Sequence, residues 1–87
     1  MTHIETATGF VCEIEEEAID DIELLENLSR LDRGEVACLP DAVRQLLGEE
    51  QRKALYEHLR VNGRVSVKAV AEALGEIFAG LSSKKNS

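Results

Sequence analysis

The stretch Ile19–Leu31 reads IDDIELLENLSRL, and it contains the strongest helix signal in the chain. Asp20 is placed to cap the helix, with Glu23 at the third helical position as an acidic capping box. Ile19 before the cap and Leu24 inside the helix can form a hydrophobic staple. These agreeing signals predict a helix over 20–32 on which the later helices pack.

The same stretch has two distinct sides. At 100° per residue, its aliphatic side chains fall within an arc of roughly 180°. The predicted buried side consists of Ile22, Leu24, Leu25, Leu28 and Leu31, and the wet side of Glu23, Glu26, Asn27 and Arg30.

A short strand is predicted before this helix. Phe10, Cys12 and Ile14 alternate with Val11 and Glu13, which is the period of a half-buried strand over 8–14. A lone strand needs a partner, either the segment 2–6 of the same chain in a hairpin or the same strand of another copy. The three glutamates at 15–17 are either a linker or the first turn of the helix.

Further helices are predicted over 40–47, 49–61 and 67–81. Pro40 and Gly48 begin and end the first of these, the pair Asn62-Gly63 caps the second, and Ser66 caps the start of the third. Glu49 and Lys53 are spaced as an i,i+4 ion pair on the wet side of the second. Gly75 inside the last helix indicates either a close helix crossing, which we favour, or simple tolerance of a glycine. The fold class is therefore mainly α, a small bundle of about four helices with an N-terminal strand or hairpin.

The length of 87 residues fits one domain, predicted over 1–81 with a frayed segment at 1–7 and a disordered polar tail over 82–87. With two Phe, one Tyr and no Trp, the core is aliphatic and small, so we expect a homo-oligomer or a complex. There is no targeting signal or long apolar run, which predicts a cytoplasmic protein that does not enter a membrane.

The acidic residues are concentrated at one end. Residues 1–35 carry eleven acidic and two basic residues, whereas residues 36–87 carry six and eight. The acidic segment 1–35 would repel the phosphate backbone of a nucleic acid, so we expect no nucleic-acid binding. It is either a solvated face or a surface that docks to a basic surface of a partner or of a neighbouring copy. The residues predicted for docking are Glu16, Glu17, Asp20 and Asp21.

No catalytic, cofactor or metal site can be assembled from the sequence. Cys12, Cys38, His3 and His58 have no metal-ligand spacing, and lone cysteines in apolar segments favour buried thiols over a disulfide. No serine follows an aspartate, which excludes a phosphopantetheine carrier. We therefore expect a protein that is not an enzyme and has no cofactor.

An ordered set of segments resembles the small tail assembly chaperones of long-tailed bacteriophages and prophages. The set covers 20–87, most of the chain. It comprises DDIELLE at 20–26, LP at 39–40, LLGEEQ at 46–51, EHLR at 57–60, GRV at 63–65 and KNS at 85–87. An aromatic residue commonly follows the paired acids in that family, and Ile22 stands at this position here.

The resemblance implies a chaperone that binds the tape-measure protein and keeps it soluble while the tail tube assembles. It implies action in the host cytoplasm and absence from the mature virion. Programmed slippage near Lys84-Lys85-Asn86 would give a longer frameshifted form as a further partner. The contact would place an amphipathic helix of the tape-measure protein on the apolar stripe of the first or the fourth helix. The fourth helix offers Val70, Leu74, Ile77 and Phe78.

An alternative from a different class is a small acidic regulatory protein, similar to an antitoxin, that masks a basic surface of its partner. The acidic first half of the chain favours this alternative. The two hypotheses differ in which surface binds, apolar helix faces for the chaperone and carboxylates for the regulatory protein.

Overall fold

A hairpin forms the N-terminal part of the computed structural model, which describes residues 1–85. Strands β1 (Thr2–Glu5) and β2 (Val11–Ile14) are antiparallel, so the mate of the predicted strand is the chain's own N-terminus. The strand begins at residue 11 rather than 8, because Gly9 lies in the connecting turn with φ of 91°. Residues 2–5, predicted to be frayed, are instead paired. Phe10, Cys12 and Ile14 are buried as predicted.

The outer edge of β2 is closed by a side chain. The Gln51 amide accepts a hydrogen bond from the backbone N–H of Glu13 at 2.8 Å and donates one to its carbonyl oxygen at 2.8 Å. The same amide nitrogen donates to the carbonyl of Leu47 at 2.8 Å, which holds Gln51 in this orientation. Gln51 therefore occupies hydrogen-bonding positions that a third strand would use.

The first α-helix, α1, runs over Ile22–Asp32 and follows a 3-10 turn at Glu16–Ile19. The backbone N–H of Asp20 donates to the carbonyl of Glu17 at 2.9 Å, so Asp20 closes the 3-10 turn and cannot also begin α1. The cap is consequently Asp21, and the prediction of Asp20 was wrong by one position. The Asp21 carboxylate accepts from the backbone N–H of Glu23 at 2.9 Å and of Leu24 at 3.4 Å.

Replacement of the cap gives a direct test of this register. Asp21→Ala is expected to lower the free energy of unfolding by about 1 kcal/mol, because two backbone N–H groups lose their acceptor. Asp20→Ala removes a carboxylate that caps no helix and should change it by less than about 0.5 kcal/mol. Urea unfolding of the two variants measures both values, and equal losses would contradict the assignment.

The buried side of α1 differs from the predicted side. Leu24 is 1% exposed as predicted, but Asn27 is also buried and donates from Nδ2 to Oε1 of Gln45 at 2.9 Å. Ile22 and Leu25 are 70% and 59% exposed. Because α1 packs mainly on the second helix, the helix is rotated toward Asn27, and the far edge of its apolar arc remains in solvent.

The middle of the chain forms α2 (Leu39–Leu47) and α3 (Glu49–Leu59), after a 3-10 turn at Val36–Cys38. The predicted boundary at Gly48 is confirmed, and its φ of 83° suits glycine. Glu49 pairs with Arg52 in the i,i+3 position rather than with Lys53 as predicted.

A second hairpin follows α3, where the sequence predicted only a helix cap. Helix α3 ends at Leu59 instead of 61, and the strands β3 (Arg60–Val61) and β4 (Arg64–Val65) pair across Asn62-Gly63. These two residues have φ of 53° and 78°, the signs required at both central positions of a two-residue hairpin turn. The pair is therefore a hairpin turn.

The last helix, α4, spans Val67–Lys85. Ser66 caps it as predicted, since its Oγ accepts from the backbone N–H of Ala69 at 3.1 Å. The helix continues beyond the predicted end at 81, so residues 82–85 are helical rather than a disordered tail, and 86–87 lie outside the described residues. The predicted fold class, a small and mainly helical fold with an N-terminal hairpin, is confirmed.

The core lies where α4, α2 and α3 meet the inner face of the first hairpin. Its largest fully buried side chains are aliphatic, in agreement with the composition. They are Leu24, Val43, Leu55 and Ile77.

Candidate functional site: an apolar groove in two parts

A groove of about 410 Å³ lies between α1 and α4. It forms because α1 packs on α2 and α4 packs on the first hairpin and α3, which leaves the facing sides of α1 and α4 apart. The groove is lined almost entirely by apolar residues: Leu28, Leu31, Asp32, Val36, Leu39, Ala71, Leu74, Gly75 and Phe78. We call it the α1/α4 groove.

Gly75 keeps the α1/α4 groove open. A Cβ added at this position would meet no heavy atom of another segment within 4 Å, so the predicted close helix crossing at Gly75 was wrong. The close approach is five residues further along, at Gly80, where an added Cβ would lie 3.2 Å from Cδ1 of Ile4. Gly75 thus contributes space at the surface, and Gly80 allows the first hairpin to pack on α4.

A second groove of about 390 Å³ adjoins the first. It shares Val36 and Leu39 with the α1/α4 groove, and its remaining lining comes from the 3-10 turn at Val36–Cys38 and from α2, α3, β4 and α4. Val36 and Val67 at its rim are 57% and 55% exposed. The complete lining is Val36, Ala37, Leu39, Pro40, Tyr56, Val65, Val67 and Val70. The two grooves together form an apolar surface with Val36 between its two parts.

The apolar residues predicted for partner binding lie mostly in the core. Val70, Leu74 and Ile77 are 4%, 3% and 0% exposed, and they pack inside the domain. Phe78 is partly exposed and lines the α1/α4 groove, where Leu74 also contributes a buried wall. Val70 likewise forms a buried wall of the second groove, whereas Ile77 lines neither groove and is unavailable to a partner.

The acidic residues predicted for docking lie together at the start of α1 but away from both grooves. Glu16, Glu17 and Asp20 are exposed, and Glu16 accepts a hydrogen bond from Oγ1 of Thr2 at 3.3 Å. Asp21 is the helix cap and is half-buried, so its carboxylate is already engaged. In the lining of the α1/α4 groove the charged residue is Asp32.

A short polar cluster borders the second groove. The Arg52 guanidinium lies 5.1 Å from the centre of the Tyr56 ring and donates a hydrogen bond to Glu49. That bond holds the pKa of the Glu49 carboxyl below its usual value. The cation–π contact with Arg52 orients the Tyr56 ring, which lines the second groove.

No arrangement for metal binding is found in the part of the chain that the structure describes. Among residues 1–85 there is no group of three or more His, Cys, Asp and Glu placed to hold an ion. Cys12 and Cys38 are free thiols, and burial raises the pKa of Cys12. Across the same residues, the search for a helix with the length and apolarity to span a bilayer finds none.

Sequence reasoning missed most of the groove. It considered the stripe of the fourth helix or that of the first helix as alternatives, whereas the surface combines Leu28 and Leu31 of α1 with residues of α4 and the exposed Val36. A usable signal was the glycine at 75, which lies one residue from Leu74 and three from Phe78 on the same helix. A residue without a side chain beside large apolar residues is compatible with an opening as well as with a crossing.

Comparisons with protein-family models, curated proteins and solved structures find no match for this chain.

Proposed function

We propose that this protein is a tail assembly chaperone of the kind made by long-tailed bacteriophages and prophages. In this proposal it is not an enzyme. It binds a helical segment of the tape-measure protein and keeps that protein soluble during tail tube assembly, in the host cytoplasm and not in the mature virion. A longer frameshifted form of the chain would share the binding domain.

The observation that carries the proposal is the apolar surface formed by the two grooves. It combines volumes of about 410 and 390 Å³ on either side of Val36. Clefts of a few hundred Å³ that are lined mainly by apolar side chains are the usual form of a binding site. An amphipathic helix fits because its apolar stripe can lie along the groove while its polar side stays in water.

Charge supports a partner with basic residues beside its apolar stripe. Asp32 lies in the lining of the α1/α4 groove, and Glu16, Glu17 and Asp20 are exposed just before the start of α1. A bound helix with Lys or Arg near Asp32 would gain a favourable contact. The other exposed carboxylates would keep the complex soluble through its net negative charge.

Filling the groove is the sharpest test. Gly75→Leu puts a large side chain into the α1/α4 groove without meeting any atom near its Cβ, so the fold should be retained. The variant is co-expressed with the tape-measure protein, which the proposal places immediately downstream of this chain's gene. We expect the soluble fraction of that protein to fall and its affinity to weaken at least tenfold, which is about 1.4 kcal/mol.

The matched control is Ala79→Leu, which adds the same side chain to an exposed position of α4 outside both grooves. It should bind as the unmodified chain does. If the downstream protein is equally insoluble with and without this chain, and gel filtration yields no complex, the chaperone proposal is overturned.

The acidic regulatory alternative is tested in the same experiment. A triple variant, Glu16→Gln, Glu17→Gln and Asp20→Asn, leaves the Asp21 cap intact. Should the triple variant abolish binding while Gly75→Leu has no effect, the carboxylates rather than the groove would form the binding surface. That result would favour a protein that masks a basic partner.

A further inference from the structure

The solvent side of α1 carries two large apolar side chains that no other described segment covers. Ile22 is 70% exposed and Leu25 is 59% exposed. Leu25 also lines a shallow cleft of about 300 Å³, and the other residues of that cleft are Glu26, Ser29, Arg30 and Arg33. This outer face of α1, defined by Ile22 and the cleft residues, is separate from the α1/α4 groove, which α1 lines with Leu28, Leu31 and Asp32.

Acidic and basic residues lie toward opposite ends of this side of α1. Acid lies toward its N-terminal end, with Glu23 and Glu26, and base lies toward its C-terminal end, with Arg30 and Arg33. Arg33 forms an exposed ion pair with Glu35 at 3.4 Å, whereas Glu26 and Arg30 take part in no ion pair among residues 1–85. A second α1 in the antiparallel direction would therefore bring opposite charges together.

Helix geometry fixes which charges would meet. With a two-fold axis near the middle of α1, at the level of Leu28, Glu26 of each copy lies opposite Arg30 of the other, because each is two residues from the centre. Ser29 is small and near the axis, so the two backbones can approach closely. A parallel pair would instead place Glu26 against Glu26 and Arg30 against Arg30.

We propose that the outer face of α1 is a self-association surface, on which two copies of this chain pair through antiparallel α1 helices. With the axis at Leu28, Leu25 of each copy is covered beside Ser29 of the other copy, and Ile22 is covered by the aliphatic stem of the other copy's Arg33. The two Glu26–Arg30 pairs set the direction. The interface uses one helix of eleven residues, which is smaller than that of a standard stable complex. The dissociation constant is accordingly expected between about 10 μM and 1 mM. Pairing does not depend on the proposed chaperone function, because the α1/α4 groove stays outside the interface.

Reciprocal charge exchange tests the proposal. Sedimentation velocity of the unmodified chain is measured over a concentration series up to about 1 mM, the upper limit of the expected dissociation constant. Glu26→Lys and Arg30→Glu are then measured separately. Each creates two like-charge contacts in the antiparallel dimer, so each should weaken association at least tenfold. An equimolar mixture of the two variants restores both attractive pairs and should recover the dimer as a heterodimer.

Thermal unfolding of each variant supplies the control for folding, since both changes lie at exposed positions of α1. A chain that stays monomeric throughout the series overturns the proposal. So does a dimer that both single variants form as readily as the unmodified chain. Loss in the single variants without recovery in the mixture would overturn the antiparallel arrangement.

Discussion

Leu24→Ala is expected to lower the free energy of unfolding by about 2–5 kcal/mol, a large share of the about 5–15 kcal/mol typical of a small domain. Leu24 is 1% exposed and is the most deeply buried side chain of α1. Its truncation removes aliphatic contacts with the core and leaves a cavity that the small domain can close only in part. Guanidinium unfolding, followed by circular dichroism, measures the change as a shift of the midpoint.

The adjacent leucine is the matched control. Leu25 is 59% exposed, so Leu25→Ala should change the free energy of unfolding by less than about 0.5 kcal/mol. The measurement is made at low protein concentration, where association through the outer face of α1 adds nothing. If Leu25→Ala proved the more destabilising of the two, α1 would be rotated relative to the described structure.

Gly80→Leu is expected to lower the free energy of unfolding by about 1–3 kcal/mol, the usual cost of overpacking a filled interior. Even a Cβ at this position would lie 3.2 Å from Cδ1 of Ile4, and Ile4 is itself 7% exposed and packed in the core. A leucine would force the first hairpin away from α4.

Gly75→Leu, five residues earlier on the same helix, is the control for this second prediction. It meets no neighbouring atom at its Cβ, and replacing a mid-helix glycine gains up to about 1 kcal/mol in helix propensity. Thermal melts should therefore move in opposite directions for the two variants. A loss of stability for Gly75→Leu equal to that for Gly80→Leu would mean that the α1/α4 groove is closed in solution.

Local signals explain why the helices could be predicted from the sequence. Ser66 caps α4 with its own side chain, and Gly48 separates α2 from α3 through a backbone conformation that suits glycine. The alternation of Phe10, Cys12 and Ile14 likewise specified one face of β2. Each of these features depends on residues close together in the chain, so periodicity and capping chemistry were sufficient.

The rotation of α1 could not be predicted in the same way. An apolar arc of roughly 180° is wider than the stripe one neighbouring helix can cover, so tertiary packing decides which edge is buried. Here a hydrogen bond from Asn27 to Gln45 makes the polar edge compatible with burial, and Ile22 and Leu25 are left outside. That pairing joins residues eighteen positions apart.

The hairpin after α3 was misinterpreted because its signal is ambiguous. Asn-Gly ends helices as well as closing two-residue hairpins, and positive φ suits both uses. What decides in favour of the hairpin is the pairing of Arg60 with Val65 and of Val61 with Arg64. Such short flanking strands give almost no periodic pattern.

The candidate site was predicted only in part, for a physical reason. An apolar stripe shows that a helix buries one side, but most of that side is used by the protein's own core, as for Val70 and Ile77. The surface left over depends on gaps between elements, such as the one beside Gly75, and on exposed residues in connections, such as Val36. The acidic segment, by contrast, was correctly expected to be exposed at Glu16, Glu17 and Asp20.

The side-chain closure at Gln51 limits how copies of this chain can aggregate. Strand edges propagate cross-β assembly because each unsatisfied backbone group templates the next chain. In β2 the backbone of Glu13 is saturated by the Gln51 amide on the side facing away from β1. Edge-to-edge pairing of β2 with another chain is thereby blocked at this position, because the Gln51 amide would first have to be displaced.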